Sequence, residues 1–344
     1  MVSGAGAVGA VVEAGGEPVA IGVLAPTSTV ARLAVVPAIL ASSKCRLAAV
    51  ASRSRPDDEP PGGARRHAGY DDLVADPEVE AVYVPLPNSM HREWTERAAA
   101  AGKHVLCEKP LSPSATDSSL MSAACADAGV VLMEAYMTPF HPRSRAVVEL
   151  ARSGRLGEIL FVSTAFTGVL DRPDDHRWRP EMGGGCLLDV GIYCLAPVPA
   201  ILSLDTSAVA GLGVGAAAAR RTSLGVDSTF SGWLDLGGGR SAGFQCSFEA
   251  PERQLLEIVG TDAAAFVERA FTPSLEDRTI ELRHRDGSVE VLTTGGGDPY
   301  GLMVDQFCSV VRGTAVAERT PADSIALAGL VDRLLAAAGR VDDR

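Results

Sequence analysis

The chain is short of lysine, of aromatic residues and of positive charge. Lysine occurs only as Lys44, Lys103 and Lys109, the other basic residues being arginines, so a lysine inside a motif stands out. Aromatic residues make up 5% of the sequence, which leaves a core to be built from Ala, Val and Leu. The formal net charge of −12 argues against nucleic acid or an anionic membrane surface as partner, since either wants a basic face. No C-x-x-C pair occurs among the seven cysteines, so neither a zinc site nor a disulfide framework is indicated, and buried reduced thiols are expected. The histidines at 67, 91, 104, 141, 176 and 284 show no ligand spacing, and no metal is expected. Apolar runs stay short of the roughly 18 residues of a membrane span, and no basic leader precedes an apolar one. These absences together predict a cytoplasmic protein.

What is present is a hydrophobic share of 47% over 344 residues, enough for two cores. Short apolar runs at 19–24, 46–51, 81–85, 103–107 and 130–135 read as buried strands. Helical stretches at 29–42, 70–75, 89–101 and 113–128 separate them, and 56–69, with Pro-Pro-Gly-Gly, reads as a loop. This alternation predicts a doubly wound parallel sheet. Past about residue 155 the strands at 158–166, 228–236, 241–248 and 255–259 are mostly not separated by helices, which predicts a largely antiparallel sheet. Helices at 299–312 and 321–338 close the chain. The fold class is α/β, with a low-complexity lead-in at 1–18 and two domains, at 19–140 and 141–340.

Gly4-Ala-Gly-Ala-Val-Gly9 matches G-x-G-x-x-G letter for letter. A dinucleotide-binding turn, however, needs a strand before it, glycines under the pyrophosphate and a helix N-terminus facing the charge. Only three residues precede Gly4. The strand at 19–24 meets the requirement, and its turn reads Ala25-Pro-Thr-Ser-Thr-Val-Ala31, with Ala25 and Thr27 at the first two glycine positions. Without glycine, either cofactor affinity is weakened or the pyrophosphate rests on the helix N-terminus and the Ser28 and Thr29 hydroxyls. The second strand ends in Ser52-Arg53, where a hydroxyl and an arginine suit the 2′-phosphate of NADP and an acid would suit NAD. NADP(H) is therefore favoured, with NAD(H) possible.

Three segments then fall in order. VEAVYVPLPNSMH (79–91) contains Pro85, Asn88 and His91; AGKHVLCEKPL (101–111) sets Glu108-Lys109-Pro110 directly after a strand; GGGCLLDVGIYC (183–194) carries Asp189 and Tyr193 as D-x-x-x-Y. Together they resemble the Gfo/Idh/MocA oxidoreductases. The branch is that of glucose–fructose oxidoreductase, dimeric dihydrodiol dehydrogenase, NADP-linked xylose dehydrogenase and sugar-nucleotide 3-ketoreductases. Residues 247–263 and 298–307 look like the same branch, and the likeness covers about 19–340. It implies a Rossmann domain at 19–140 and a substrate-binding and dimerisation domain at 141–340, whose open sheet pairs copies in a homodimer or homotetramer. It implies Lys109, Tyr193 and Asp189 as catalytic. Cofactor contacts fall to the turn (Ala25, Thr27, Ser28, Thr29), to Ser52 and Arg53, and to Pro85, Asn88, His91, Glu108 and Lys109. A sugar-like substrate is assigned to His176, Arg177, Trp178 and Asp189. Three features depart from the family pattern: Ala25 replaces glycine, one extra residue precedes Pro37, and 56–69 is short for a second helix.

The residue types suit the chemistry. Oxidising an alcohol removes a hydride from carbon and a proton from oxygen, and a group poised near neutral pH must take the proton. Tyrosine titrates near 10, and a neighbouring ammonium is expected to bring it down. Tyr193 with Lys109 forms such a pair. Asp189, one helical turn before Tyr193, would fix a substrate hydroxyl or orient the pair. Glu108 would anchor the turn or the nicotinamide ribose, and the Lys109–Pro110 bond is often cis in this family. His141 either supports structure or touches substrate; Trp178 either lines the sugar site or packs its loop. The expected function is NADP-dependent hydride transfer to or from a sugar or cyclic polyol. The alternatives are reduction of a keto group on a nucleotide-linked deoxysugar, and a catalytically idle sugar- or nucleotide-binding protein.

Overall fold

The computed structural model describes residues 16–52 and 59–339, so the Gly4–Gly9 hexapeptide and Arg53 lie outside the described residues. The first sheet comprises β1 (Val19–Leu24), β2 (Cys45–Ala51), β3 (Arg65–His67), β4 (Ala81–Val84), β5 (His104–Glu108) and β6 (Leu132–Ala135). All pair in parallel, in the order β3-β2-β1-β4-β5-β6. β1 and β4 are buried along their whole length, which is why they read as unbroken apolar runs. Gly22 in β1 is required by packing, since a Cβ there would stand 2.7 Å from Leu73 Cδ2. β3 corrects the expectation of a loop over 56–69. It is short and polar, pinned by Asp76, which takes Arg65 Nη1 at 2.8 Å and His67 Nε2 at 2.8 Å. Strand order reverses between β1 and β4, and in such sheets ligands settle beyond the carboxyl ends at that point.

The helix after the first turn contains a π-helical turn, Ala31–Val35, before the α-helix Val36–Ala41. A π turn takes up one inserted residue, which accounts for the extra residue before Pro37.

The second sheet has eight strands: β7 (Ile159–Thr167), β8 (Gly213–Arg221), β9 (Asp227–Asp235), β10 (Ser241–Ser247), β11 (Arg253–Gly260), β12 (Ala263–Glu268), β13 (Thr279–His284) and β14 (Val289–Thr293). Their order is β14-β13-β12-β11-β7-β10-β9-β8, antiparallel except for the β7–β10 pair. Helical segments between β7 and β8 and the C-terminal helix Pro321–Ala338 cover one face. On the other face Phe161 and Trp233 stand exposed. Glu134 of β6 links the domains, accepting from Arg319 Nε at 2.9 Å and Ser324 Oγ at 2.7 Å. Arg312 adds a second link, to Glu80 at 2.8 and 3.0 Å. All seven cysteines are free and buried.

The expectation that no apolar stretch reaches membrane-spanning length needs one correction. Pro180–Ile201 is long and apolar enough, but it is mostly buried inside the protein. It is broken by Gly183 at φ +71° and by a π turn, so it reads as core rather than span.

Candidate active site

A cleft of about 750 Å³ opens beyond the carboxyl ends of β1, β2, β4 and β5. One wall carries Ala25, Thr27, Ser28, Thr29, Ser52, Pro85 and Asn88; Glu108 and Lys109 form the floor. Asp175, His176, Arg177, Gly183–Gly185, Asp189, Tyr193 and Tyr300 face them from the second domain. Asn88 Nδ2 donates to Gly183 O at 2.8 Å and ties the two walls together.

The glycine-free turn is held by its own backbone. Ala25 has φ +44°, the left-handed region where glycine is at home and alanine is strained by roughly 1–2 kcal/mol. Ser28 N donates to Ala25 O at 2.9 Å, and Ser28 Oγ accepts from Ala31 N at 3.3 Å. Among the described residues the N–H groups of Thr27, Thr29 and Val30 make no backbone hydrogen bond outside their own helix, and all three residues line the cleft. Such an array at a helix N-terminus fits a pyrophosphate without glycine. Ala25→Gly should raise the melting temperature or leave it unchanged, because the relief at φ +44° offsets the roughly 0.4–1 kcal/mol of added chain entropy. A clear fall in melting temperature would contradict this.

Two expected site residues are displaced from the cleft. His91 is fully buried, its Nε2 2.8 Å from Leu86 O and its Nδ1 3.0 Å from Pro110 O. It ties the β4 exit to the Glu108-Lys109-Pro110 turn instead of lining the cofactor side. Trp178 packs edge-on against Phe248, ring centroids 5.2 Å apart, and so braces its loop rather than the sugar site. His141 is also fully buried, capping the helix Pro142–Arg152 through Nδ1. Tyr300 joins the cleft although no sequence pattern singled it out for it, and Asp175 joins it from the same loop as the expected His176 and Arg177.

The Lys109–Pro110 peptide is cis. Behind it Tyr83 donates its hydroxyl to Glu108 Oε1 at 2.7 Å, and Lys109 N donates to Oε2 at 3.2 Å. Burial pushes the Glu108 carboxyl up to about 6 despite these donors. The folded chain therefore holds this proton more tightly than the unfolded one. Glu108's contribution to stability is complete below pH 4.5 and is lost as pH rises through about 6. The difference corresponds to about 2 kcal/mol. Between pH 4.5 and neutrality, Glu108→Gln should lose less stability in urea titrations than the parent, by about that amount. Equal losses would refute it.

Lys109 Nζ donates to both Asp189 O at 2.8 Å and Asp189 Oδ1 at 2.9 Å. Arg177 Nε donates to Asp189 Oδ2 at 2.8 Å, and Arg177 Nη1 reaches Asp175 at 3.1 Å. Between these two cations the Asp189 carboxyl is held down at about 2, although burial alone would raise it. Asp189 lies in a π-helical turn, Leu187–Gly191, a feature common at functional sites. Tyr193 follows, its ring 4.8 Å from Lys109 Nζ and its hydroxyl 3.9 Å from Met137 Sδ. The expected lowering of the tyrosine is not seen. Burial pushes the phenol well above its ordinary value, and the Glu108 and Asp189 carboxylates add to that. Lys109, bound to Asp189, stands against the ring and not at the phenolic oxygen.

Residues 23–136 match the model of the oxidoreductase family with an NAD-binding Rossmann fold, and residues 144–266 match the GFO/IDH/MocA C-terminal domain. The chain is 36% identical over 285 residues to D-xylose 1-dehydrogenase (NADP(+)) 2 of Haloferax volcanii, covering 81% of this chain and 85% of that protein. It is 35% identical over 311 residues to a dTDP-3,4-didehydro-2,6-dideoxy-alpha-D-glucose 3-reductase of Saccharopolyspora spinosa, covering 87% and 90%. Among solved structures, a 3-ketoreductase from Actinomadura kijaniata in complex with NADP and TDP-benzene superposes with a TM-score of 0.86 at 28% identity, covering 93% and 98%. Solved variants of that reductase replace a tyrosine by phenylalanine and a lysine by alanine, the two positions as far apart in sequence as Tyr193 and Lys109 are here. With both halves matched in order and relatives this similar over most of its length, the chain belongs to the Gfo/Idh/MocA family of oxidoreductases.

Proposed function

We propose that the chain is an NADP(H)-dependent oxidoreductase that interconverts a hydroxyl and a carbonyl on a neutral, sugar-like substrate. The observation that carries this reading is the Lys109–Asp189–Arg177 array beside Tyr193, in the cleft at the strand-order reversal. Thr27, Ser28 and Thr29 would hold the pyrophosphate, Ser52 the adenosine ribose end, Pro85 and Asn88 the nicotinamide side, and Glu108 the nicotinamide ribose. The chemistry such a cofactor supplies is hydride transfer at its nicotinamide ring. Tyr193, kept protonated by its burial, donates its phenolic proton to the substrate oxygen in the reducing direction. In the oxidising direction the same oxygen must accept a proton, which calls for the Lys109 ammonium to move from the ring face toward it.

The cations and carboxylates of the substrate wall pair off, Lys109 and Arg177 against Asp175 and Asp189. A wall balanced in this way suits a neutral polyhydroxylated substrate. A second reading, reduction of a nucleotide-linked keto-sugar, is favoured by the reductase relatives. Screening aldoses, cyclic polyols and keto-sugar nucleotides at the NADPH absorbance band separates the two. Turnover of free sugars supports the first, turnover of nucleotide sugars alone supports the second, and no binding of either nicotinamide by calorimetry overturns both.

We also infer that the open face of the second sheet pairs two copies, since Phe161 and Trp233 share that face and stand 38% and 48% exposed. Light scattering should give a dimer or tetramer for the parent and a smaller species for the Phe161→Glu, Trp233→Glu double variant. An unchanged mass would refute the assignment.

A further inference from the structure

We propose that Asp227, the first residue of β9, is a positioning residue of the active site. Its carboxylate fixes the start of the helical segment 187–195 to the sheet and so determines where Asp189 and Tyr193 stand. The inference rests on the functional reading above, in which those two residues act with Lys109.

The segment cannot cap itself. It is preceded by Gly183, Gly184 and Gly185, and Cys186 at the cap position offers no side-chain acceptor to the first turn. The missing acceptor comes from a strand about forty residues further on. Asp227 Oδ2 accepts from Leu187 N at 2.7 Å and from Cys186 Sγ at 3.1 Å. Asp227 is 3% exposed and does not line the cleft. Among the described residues no lysine or arginine stands within ion-pair distance of it, so its close partners are the helix-start donors, with Arg221 acting only from further off.

The approach is made possible by Gly185, which sits at φ +117°; a Cβ there would stand 2.3 Å from Asp227 Oδ1. Directly beyond this anchor lies the π turn with Asp189, whose carbonyl and carboxylate both receive Lys109 Nζ. Two bonds to one residue from one ammonium tolerate little sliding of the helix. Tyr193 rides on the same segment. A displacement at Leu187 is therefore felt at the lysine, the aspartate and the phenol together, although Asp227 touches none of them.

The test compares Asp227→Ala, Asp227→Asn and Gly185→Ala with Tyr193→Phe, each on the best substrate of the screen. Asp227→Ala is expected to lower kcat about 100-fold, as loss of alignment does, with the KM for NADPH within about threefold of the parent. Asp227→Asn keeps an oxygen for Leu187 N and should recover kcat to within about tenfold. Gly185→Ala, which pushes the carboxylate away, should behave like Asp227→Ala. The inference is overturned if Asp227→Ala is folded and turns over like the parent. It is also overturned if Asp227→Asn is no better than Asp227→Ala, or if each loss of rate only follows a loss of folded protein in circular dichroism. Should Asp227→Ala not fold, Asp227→Asn and Gly185→Ala decide the matter by the same split of kcat from KM. If Tyr193→Phe is itself without effect, or no compound is turned over, the functional reading fails; if Tyr193→Phe is slow and the other variants are not, only this inference fails.

Discussion

Tyr193→Phe is expected to lower turnover by roughly 10²–10⁴-fold, the usual worth of a positioned proton donor, while NADPH binding followed by fluorescence stays near the parent value. The substitution removes a single oxygen. Among the described residues its one hydrogen-bond partner is Met137 Sδ at 3.9 Å, so little stability is at stake. The ring keeps its packing against Tyr136 and Phe166, with centroids 5.4 Å away in each case. Loss of rate without loss of fold is therefore the signature of a proton-transfer role. Lys109→Ala should be slow as well, and the double variant should be little slower than the worse single one, since residues that act as a unit are not additive. Parent-like turnover by either single variant would remove that residue from the chemistry.

Glu134→Ala is expected to cost about 3–5 kcal/mol of stability, the range for stripping one partner from a buried ion pair. The Glu134 and Arg319 side chains are 4% and 15% exposed, at an N–O distance of 2.9 Å. The same carboxylate accepts from Ser324 Oγ at 2.7 Å and from Leu111 N at 2.8 Å. Removing it leaves the Arg319 guanidinium facing Tyr136 with no counter-ion from β6. It also frees Leu111, two residues past Lys109, so turnover should fall along with stability. Glu134→Gln, which keeps an acceptor of the same shape, should cost clearly less in urea unfolding. An alanine variant within about 1 kcal/mol of the parent would show that the link between the domains is not maintained by this residue.

The parallel sheet was legible because its strands are buried on both faces and so appear as uninterrupted apolar runs. β3 was not, because Arg65 and His67 owe their place to Asp76 and not to hydrophobic burial. In the second domain β9, β10 and β11 alternate or carry large apolar residues and could be read. β8 is alanine-rich and mostly exposed and leaves no clear period, whereas β13 and β14 do alternate, with Ile280 and Leu282 buried, but over stretches of only six and five residues. At the site, Lys109, Asp189 and Tyr193 were legible as members of motifs with fixed spacing. Asp227 and Glu134 were not, since a lone carboxylate in a strand gives no sign that a distant N–H will be brought to it. His91 and Trp178 misled for the opposite reason. They sit next to cleft residues in sequence, but their rings turn into the carbonyls of Leu86 and Pro110 and onto Phe248. The pairing of Lys109 with Tyr193 was legible in the motifs, but the direction of the ammonium, toward Asp189 and over the ring, was not.

The π turn at Ala31–Val35 has a consequence for the history of the chain. Ala31 and Val35 are buried while Arg32 and Leu33 face solvent, so the surplus residue bulges outward and both flanking faces keep their seats on the sheet. Loss of one codon at Arg32 or Leu33 would close the bulge into an ordinary α turn without rotating the strand exit before it or Pro37 after it. Insertion and deletion at this point are thus nearly interchangeable steps, and the length of the first helix can drift between relatives while the cofactor turn stays where it is.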